Sequence, residues 1–131
     1  MMDAPPPGEP VIRAIAMPAD TNPNGDIFGG WLMAHMDLAG GSAAGRHAGG
    51  RTATAAVTSM SFLRPVKVGD EVSIYCSILG TGRSSMRISI EAWRRARGEA
   101  RLKVTEAVFV FVALGEDGRP RPLDPAARDL E

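Results

Sequence analysis

The sequence predicts a single α+β domain with one long helix and five strands. Its 131 residues are enough for one hydrophobic core and too few for two. One stretch rich in Ala, Gly, Met and Leu has the length of a long helix, and five shorter runs have strand character. No internal repeat divides these segments, so we expect them to share one core.

The first two elements are a short strand over 11–17 and the helix, which runs from about 30 to 46. A segment rich in Asn, Asp, Pro and Gly separates them, and such residues favour turns. Gly40 and Gly41 inside the helix lower its propensity by roughly 1 kcal/mol each relative to Ala. We therefore expect this part of the helix to pack closely against another backbone.

Four predicted strands follow the helix. In the third of them, apolar Met86, Ile88 and Ile90 alternate with polar residues, which indicates one buried and one solvated face. The last run is apolar at every position over 108–112. It predicts a central strand, or one covered on its second face by another subunit. The four runs are 52–63, 71–79, 85–95 and 102–114.

Both ends of the chain are rich in proline. Three consecutive prolines lie in the first eight residues, and three more follow Gly115. Proline interrupts regular secondary structure, and chain ends are often poorly ordered. We predict a disordered N-terminal segment over 1–8, a folded domain over 9–115 and a flexible C-terminal tail over 116–131.

The charge balance gives no sign of a polyanion-binding surface. Fifteen basic and fifteen acidic residues give a formal net charge of zero, so nucleic acid is not an expected partner. The N-terminus has no leader pattern and no apolar run approaches the length of a membrane span, so we expect a soluble, cytoplasmic protein with no membrane partner. The lone Cys76 lies in an apolar run that predicts a buried strand thiol.

The segment over 20–37 is the strongest candidate for an active site. A polar turn leads into a Gly-Gly pair and then into the apolar helix. The first N–H groups of a helix lack intrahelical acceptors and carry partial positive charge, so a start at Gly29 or Gly30 can receive an oxyanion. Asp37 follows Gly30 by seven residues, about two helical turns, so both are expected to face one substrate. The alternative for Asp37 is an ordinary exposed helix residue.

A second polar segment, Gly-Thr-Gly-Arg-Ser-Ser over 80–85, connects two predicted strands. It lacks the ending of a P-loop and the strand-to-helix context of a dinucleotide fingerprint, so both are excluded. Arg83 can chelate phosphate oxygens, and the hydroxyls of Ser84 and Ser85 can donate hydrogen bonds. The alternative is a solvated strand connection. Arg64 is a weaker candidate for an extension of this basic rim.

Four segments in chain order carry a family resemblance: 20–37, 56–70, 82–85 and 105–113. Together with the run over 16–22, they resemble the YciA-type acyl-CoA thioesterases of the hotdog-fold superfamily, over all but the extreme ends of the chain. The resemblance implies one hotdog domain, in which a five-stranded antiparallel sheet wraps around a long central helix. It also implies hydrolysis of acyl-CoA to a free carboxylic acid and coenzyme A.

The resemblance also implies roles for individual residues. Asp37 would activate water or attack the thioester directly, and Asn22 would help to form the site, its alternative being a turn former. Gly29 and Gly30 would supply N–H donors. The turn of Arg83, Ser84 and Ser85 would contact coenzyme A.

Oligomerisation is part of the same implication. Two subunits would pair their sheets and build each site at their interface, with Asn22 and Asp37 supplied by different subunits. Three such dimers would form a hexamer. No metal or redox cofactor is implied.

Other chemistries are disfavoured by the sequence. There is no Gly-x-Ser-x-Gly elbow, so a Ser-His-Asp triad is not expected. His35 and His47 lie twelve residues apart without clustered ligands, so no metal site is expected. His35 points to another side of the helix than Asp37, which favours hydrolysis over dehydration. The rival function is a non-catalytic acyl-CoA-binding or sensing domain, which would not need Asp37.

Overall fold

The computed structural model describes residues 4–128. Its helix and five strands confirm the predicted α+β class and lie within two residues of the predicted bounds. Two short 3-10 turns, Pro18–Asp20 and Pro125–Ala127, were not predicted. The elements are β1 (Ile12–Ile15), α1 (Gly29–Ala48), β2 (Thr52–Phe62), β3 (Glu71–Thr81), β4 (Ser85–Arg95) and β5 (Leu102–Ala113).

The five strands form one antiparallel sheet in the order β1-β3-β4-β5-β2. The apolar strand β5 lies between β4 and β2, so its predicted central position is confirmed. Strand β2 forms an edge of the sheet, and its pairing with β5 shifts register twice, between Thr54 and Ala56 and between Val57 and Ser59. Such irregularities bend an edge strand and re-aim its side chains.

The core lies between α1 and one face of the sheet. Met86, Ile88 and Ile90 are fully buried, which confirms the alternation predicted for β4. The helix contributes a buried stripe at helical spacing: Leu32, Met36, Ala39, Gly40, Ala44 and Ala48. Because α1 packs against β2, β3, β4 and β5, the sheet wraps around the helix as the hotdog resemblance implies.

Gly40 lies where the helix packs tightly against side chains of the sheet. A Cβ atom at Gly40 would lie 2.7 Å from Ile90 Cδ1 and 2.7 Å from Phe111 Cζ. The expectation of packing against another backbone is therefore wrong, because buried side chains fill the space. Gly41 is different, since a Cβ there would meet only Phe111 Cε2 at 3.8 Å, an ordinary contact.

The helix ends at a left-handed residue. Gly49 has φ 70° and its N–H donates to Gly45 O at 2.9 Å, a geometry that glycine adopts readily. Arg46 and His47 lie in the last turn, where positive charge is favourable for the helix dipole. Among the described residues, no helix is long and apolar enough to cross a membrane.

The segment after β5 packs onto the domain, which differs from the expected flexible tail. Leu123 is 1% exposed within the core cluster, and Arg121 Nη2 donates to Ala48 O at 2.8 Å. The prolines do not prevent this packing, because the contacts are made by an apolar side chain and by hydrogen bonds to backbone groups. Neither kind of contact requires a helix or a strand. The parts of the terminal predictions that fall on residues 1–3 and 129–131 lie outside the described residues.

Candidate active site

Asp37 and Gly30 line one cleft between α1 and the edge strand β2. The cleft has a volume of about 360 Å³. We call it the Asp37 cleft, and its lining is Gly30, Met33, Ala34, Asp37, Thr54, Val57 and Phe109. Apart from Asp37 and Thr54, the side chains that line it are apolar, as is usual in small-molecule sites with a small number of polar groups.

Asp37 is half-buried and is oriented by one hydrogen bond from the sheet. Thr54 Oγ1 donates to Asp37 Oδ1 at 2.5 Å. The bond fixes one carboxylate oxygen and leaves Oδ2 without a described partner. Thr54 was not among the predicted site residues, because no local pattern indicates which strand residue faces a given helix position.

The start of α1 presents unpaired backbone donors, and one of its residues, Gly30, lines the Asp37 cleft. Phe28 is the N-cap, in extended conformation with no side-chain cap, and Trp31 N–H donates to Phe28 O at 3.1 Å. The N–H groups of Gly29 and Gly30 have no acceptor among the described residues. Two N–H donors with partial positive charge can stabilise a carbonyl oxygen that becomes negative.

Asn22 lies in a separate cleft, which has no lining residue in common with the Asp37 cleft. This Asn22 cleft also measures about 360 Å³. Gly29 lines the Asn22 cleft, whereas Gly30 lines the Asp37 cleft. The full lining of the Asn22 cleft is Asn22, Asp26, Ile27, Gly29, Phe62, Leu63, Arg64 and Pro65. A single subunit therefore does not bring Asn22 and Asp37 into one cleft.

The Asn22 side chain also holds its own turn. Its Oδ1 accepts hydrogen bonds from the N–H groups of Asn24, at 2.9 Å, and Asp26, at 3.2 Å. Gly25 adopts φ 85° in this turn, and the Asp26 carboxylate pairs with Lys67 Nζ. Asn24 and Asp26 thus have the turn roles expected of them. The Asn22 amide nitrogen has no acceptor among the described residues, so it can still donate to a ligand.

Arg64 lies at the rim of the Asn22 cleft. Its Nη1 donates to Lys103 O at 2.5 Å, and the residue is exposed. The remaining guanidinium donors point to no described acceptor. Arg64 is thus separate from the other predicted coenzyme A contacts and shares its cleft with Asn22.

Arg83, Ser84 and Ser85 lie at the connection of β3 and β4, outside both clefts. Ser84 O accepts a hydrogen bond from Ala113 N–H at 2.8 Å, and Ala113 pairs with Thr52 at the start of β2. Since neighbouring strands lie about 4.8 Å apart, the turn is roughly 10 Å from the start of β2. It therefore occupies the same end of the sheet as Thr54. Arg83 is exposed.

Apolar side chains are exposed around the edge strand and the open face of α1. Leu38 is 63% exposed, and Met33, Val57 and Phe62 are each more than 40% exposed. Edge strands with unpaired backbone groups and exposed apolar residues are surfaces on which other chains pair. The sheet edge beside both clefts is thus suited to a second subunit.

The remaining titratable side chains near the helix do not join the site. His35 contacts the edge of Trp31, and burial lowers its pKa although the charge of Asp20 opposes the shift. Burial raises the pKa of the Cys76 thiol to about 12. Within residues 4–128, no group of three or more His, Cys, Asp or Glu side chains is placed to hold a metal ion.

Comparisons with known proteins agree on one family. The model of the thioesterase superfamily matches residues 24–100. Acyl-CoA thioester hydrolase YciA of Salmonella typhimurium is 52% identical over 126 residues, which span 93% of this chain and 95% of that protein.

Solved structures give the same result. The hexameric thioesterase y2039 from Yersinia pestis superposes with a TM-score of 0.87 at 51% identity, over 91% of this chain and 98% of that one. An aspartate-to-alanine variant of HI0827, a hexameric broad specificity acyl-coenzyme A thioesterase, has a TM-score of 0.87 at 43% identity, over 94% and 91% of the two chains.

Proposed function

The chain belongs to the thioesterase superfamily, among the YciA-type hotdog proteins, and from this premise we infer that it is an acyl-CoA thioester hydrolase. It cleaves acyl-CoA to a free carboxylic acid and coenzyme A. The inference is supported by relatives that are acyl-CoA thioester hydrolases and are 52% and 49% identical to this chain over nearly its whole length. The structural observation that carries it is the Asp37 carboxylate, oriented by Thr54 in an apolar cleft beside the open helix start.

The proposed chemistry uses a carboxylate and the backbone donors of the helix start. The thioester carbonyl oxygen binds the N–H group of Gly30, in the Asp37 cleft, or that of Gly29 in the Asn22 cleft that the partner subunit brings to it, and this donor stabilises the negative charge of the tetrahedral intermediate. With Asp37 as the base, Asp37 takes a proton from water, the resulting hydroxide attacks the carbonyl carbon, and the C–S bond breaks. The proton then goes to the departing sulfur. With Asp37 as the nucleophile, its carboxylate attacks the carbonyl carbon, the C–S bond breaks with release of the coenzyme A thiolate, and an acyl-aspartyl anhydride forms. Water then hydrolyses the anhydride to the free acid and the Asp37 carboxylate, and the proton released goes to the thiolate.

Asn22 and the polar turn complete the proposal. The Asn22 amide nitrogen orients the water or the thioester, and Arg83, Ser84, Ser85 and Arg64 bind coenzyme A. Arginine suits this task because its planar guanidinium can chelate phosphate oxygens. Hydrolysis by these groups needs no metal or redox cofactor.

The site is completed by a second subunit. The exposed apolar side chains at β2 and α1 support pairing of two sheet edges, and this pairing would bring the Asn22 cleft of one subunit to the Asp37 cleft of the other. The solved relatives named above are hexamers, and the chain is assigned the same state, a trimer of dimers. A cytoplasmic location completes the proposal, consistent with its single free cysteine.

The experiment that tests this function measures coenzyme A release from acyl chains between acetyl and palmitoyl. Wild-type protein should turn over, and Asp37→Asn should lose about 1000-fold or more in kcat, a loss typical of essential catalytic groups. Glu99→Gln is the matched control, because it neutralises an exposed carboxylate in the β4–β5 connection, and it should retain activity. Folded wild-type protein that binds acyl-CoA without releasing thiol would instead be a binding domain. Full activity in Asp37→Asn would remove Asp37 from the chemistry.

A further inference from the structure

Residues 119–128 bind back across the end of the sheet that carries the Arg83 turn, and we call this segment the strap. We propose that the strap is a positioning element that holds the Arg83 turn ready for the phosphate groups of coenzyme A. The inference rests on the proposed function, because it concerns the same ligand. It assigns a role in substrate binding to residues that lie outside both clefts.

The first contact is a backbone hydrogen bond to the turn itself. Leu123 N–H donates to Arg83 O at 2.8 Å, and the next carbonyl, Ser84 O, accepts from Ala113 N–H at 2.8 Å. The Leu123 side chain is 1% exposed, so the donor is anchored in the core. Two adjacent carbonyls of the turn are thus fixed from two different elements.

A second contact attaches the far end of the strap to the strand that enters the turn. Thr81 Oγ1 donates to Arg128 O at 2.7 Å, and Arg128 Nε donates to Leu123 O at 2.8 Å. The strap therefore contacts both Thr81, just before the turn, and Arg83 within it. The Arg128 side chain closes the strap on itself.

The strap is also attached to the C-terminal end of the helix. Arg121 Nη2 donates to Ala48 O at 2.8 Å, and Arg121 Nε donates to Leu114 O at 3.2 Å. His47 Nε2 lies 2.7 Å from Ala127 O and must donate, because a carbonyl only accepts. These bonds connect the turn through the strap to the rigid helix.

The Arg83 side chain itself remains available to a ligand. It is exposed and makes no hydrogen bond or ion pair with the described residues. The tip of a hairpin is ordinarily among the most mobile parts of a domain. Fixing the backbone beneath Arg83 lowers the ordering cost of each phosphate contact, which raises affinity without a new contact.

The test measures dissociation constants by calorimetry for coenzyme A and for pantetheine, which lacks the nucleotide and its phosphates. Thr81→Val removes the hydroxyl that binds Arg128 O, and Thr81→Ser is the matched control that keeps it. Thr81→Val should weaken coenzyme A binding by about three- to tenfold, well within the effect of one hydrogen bond. Pantetheine binding, kcat and the Thr81→Ser variant should match wild type, and KM for acyl-CoA should rise with the dissociation constant.

A second pair of variants tests the helix end of the strap in the same way, with His47→Ala as the perturbation and His47→Gln as the control that restores a donor. In an Arg83→Ala background, Thr81→Val should weaken coenzyme A binding less than it does in wild type, because the guanidinium that the strap positions is already lost. The positioning role would be overturned by wild-type affinity in both Thr81→Val and His47→Ala or by equal losses for pantetheine. It would also be overturned if Thr81→Val caused its full loss in the Arg83→Ala background. Coenzyme A binding without thiol release would refute hydrolysis alone, whereas absence of coenzyme A binding by wild-type protein would overturn both.

Discussion

Replacing Gly40 with alanine should destabilise the protein, whereas the same change at Gly41 should stabilise it. At Gly40 the new Cβ would lie 2.7 Å from Ile90 Cδ1 and 2.7 and 2.8 Å from two atoms of the Phe111 ring. Favourable carbon contacts are about 3.5 to 4.0 Å long. Ile90 and Phe111 are buried, so neither can move aside without displacing its own neighbours.

The magnitudes follow from two opposing effects. Both alanines gain roughly 1 kcal/mol of helix propensity. Overpacking a filled core costs about 1 to 3 kcal/mol, and three short contacts place Gly40→Ala near the upper value. We expect a net loss of about 2 kcal/mol for Gly40→Ala and a net gain of about 1 kcal/mol for Gly41→Ala, where the nearest atom is at 3.8 Å.

Urea unfolding of the two variants measures this difference directly. Protein concentration must be held constant, because subunit association adds to apparent stability. The free energies of unfolding should differ by about 3 kcal/mol between the variants. Equal stability of Gly40→Ala and Gly41→Ala would refute the argument that side-chain packing selects glycine at position 40.

Three further predictions concern titratable side chains. Burial lowers the pKa of His35 below its ordinary value of 6.5. As the pH falls below that value, the unfolded chain binds more protons than the folded protein does, so the free energy of unfolding decreases. His35→Gln should flatten this fall in melting temperatures between about pH 7.5 and 5.5, and an unchanged slope would assign it to other groups. Burial raises the pKa of Cys76 to about 12, so little reactive thiolate forms at about pH 8. Iodoacetamide at this pH should label native protein at least about 100-fold more slowly than denatured protein. Equal labelling rates would contradict the burial of this thiol. Asp70 is 4% exposed and its Oδ2 lies 3.5 Å from Arg94 Nη1. Asp70→Asn should lower the free energy of unfolding by about 3 kcal/mol, because it leaves the partly buried Arg94 guanidinium without its counter-charge. Chemical denaturation that finds wild-type stability would show that this pair is already solvated.

Local patterns predicted the elements of this fold well. The alternation around Ile88 and the fully apolar run in β5 depend on residues close in sequence, and both gave the correct burial. The turn chemistry before Gly29 likewise marked the helix start to within one residue. Such features need no knowledge of which elements are neighbours.

Features that depend on neighbours could not be read in the same way. The Thr54 bond to Asp37 depends on how β2 lies against the helix, and the register shifts in β2 move its side chains away from simple alternation. The strap was missed because its contacts are backbone hydrogen bonds and one buried leucine, Leu123, among prolines. The family resemblance, and no local pattern, implied that Asn22 and Asp37 come from different subunits, and within one subunit the two side chains line different clefts.

In the proposed function, each active site combines Asp37 of one subunit with Asn22 of its partner. Coexpression of Asn22→Ala and Asp37→Ala chains in equal amounts tests it through coenzyme A release. Each variant alone should be nearly inactive. In random dimers half of the pairs are mixed, and each mixed pair has one intact site of two, so about one quarter of wild-type activity should return. Mixed oligomers that stay as inactive as either variant alone would contradict a site shared between subunits.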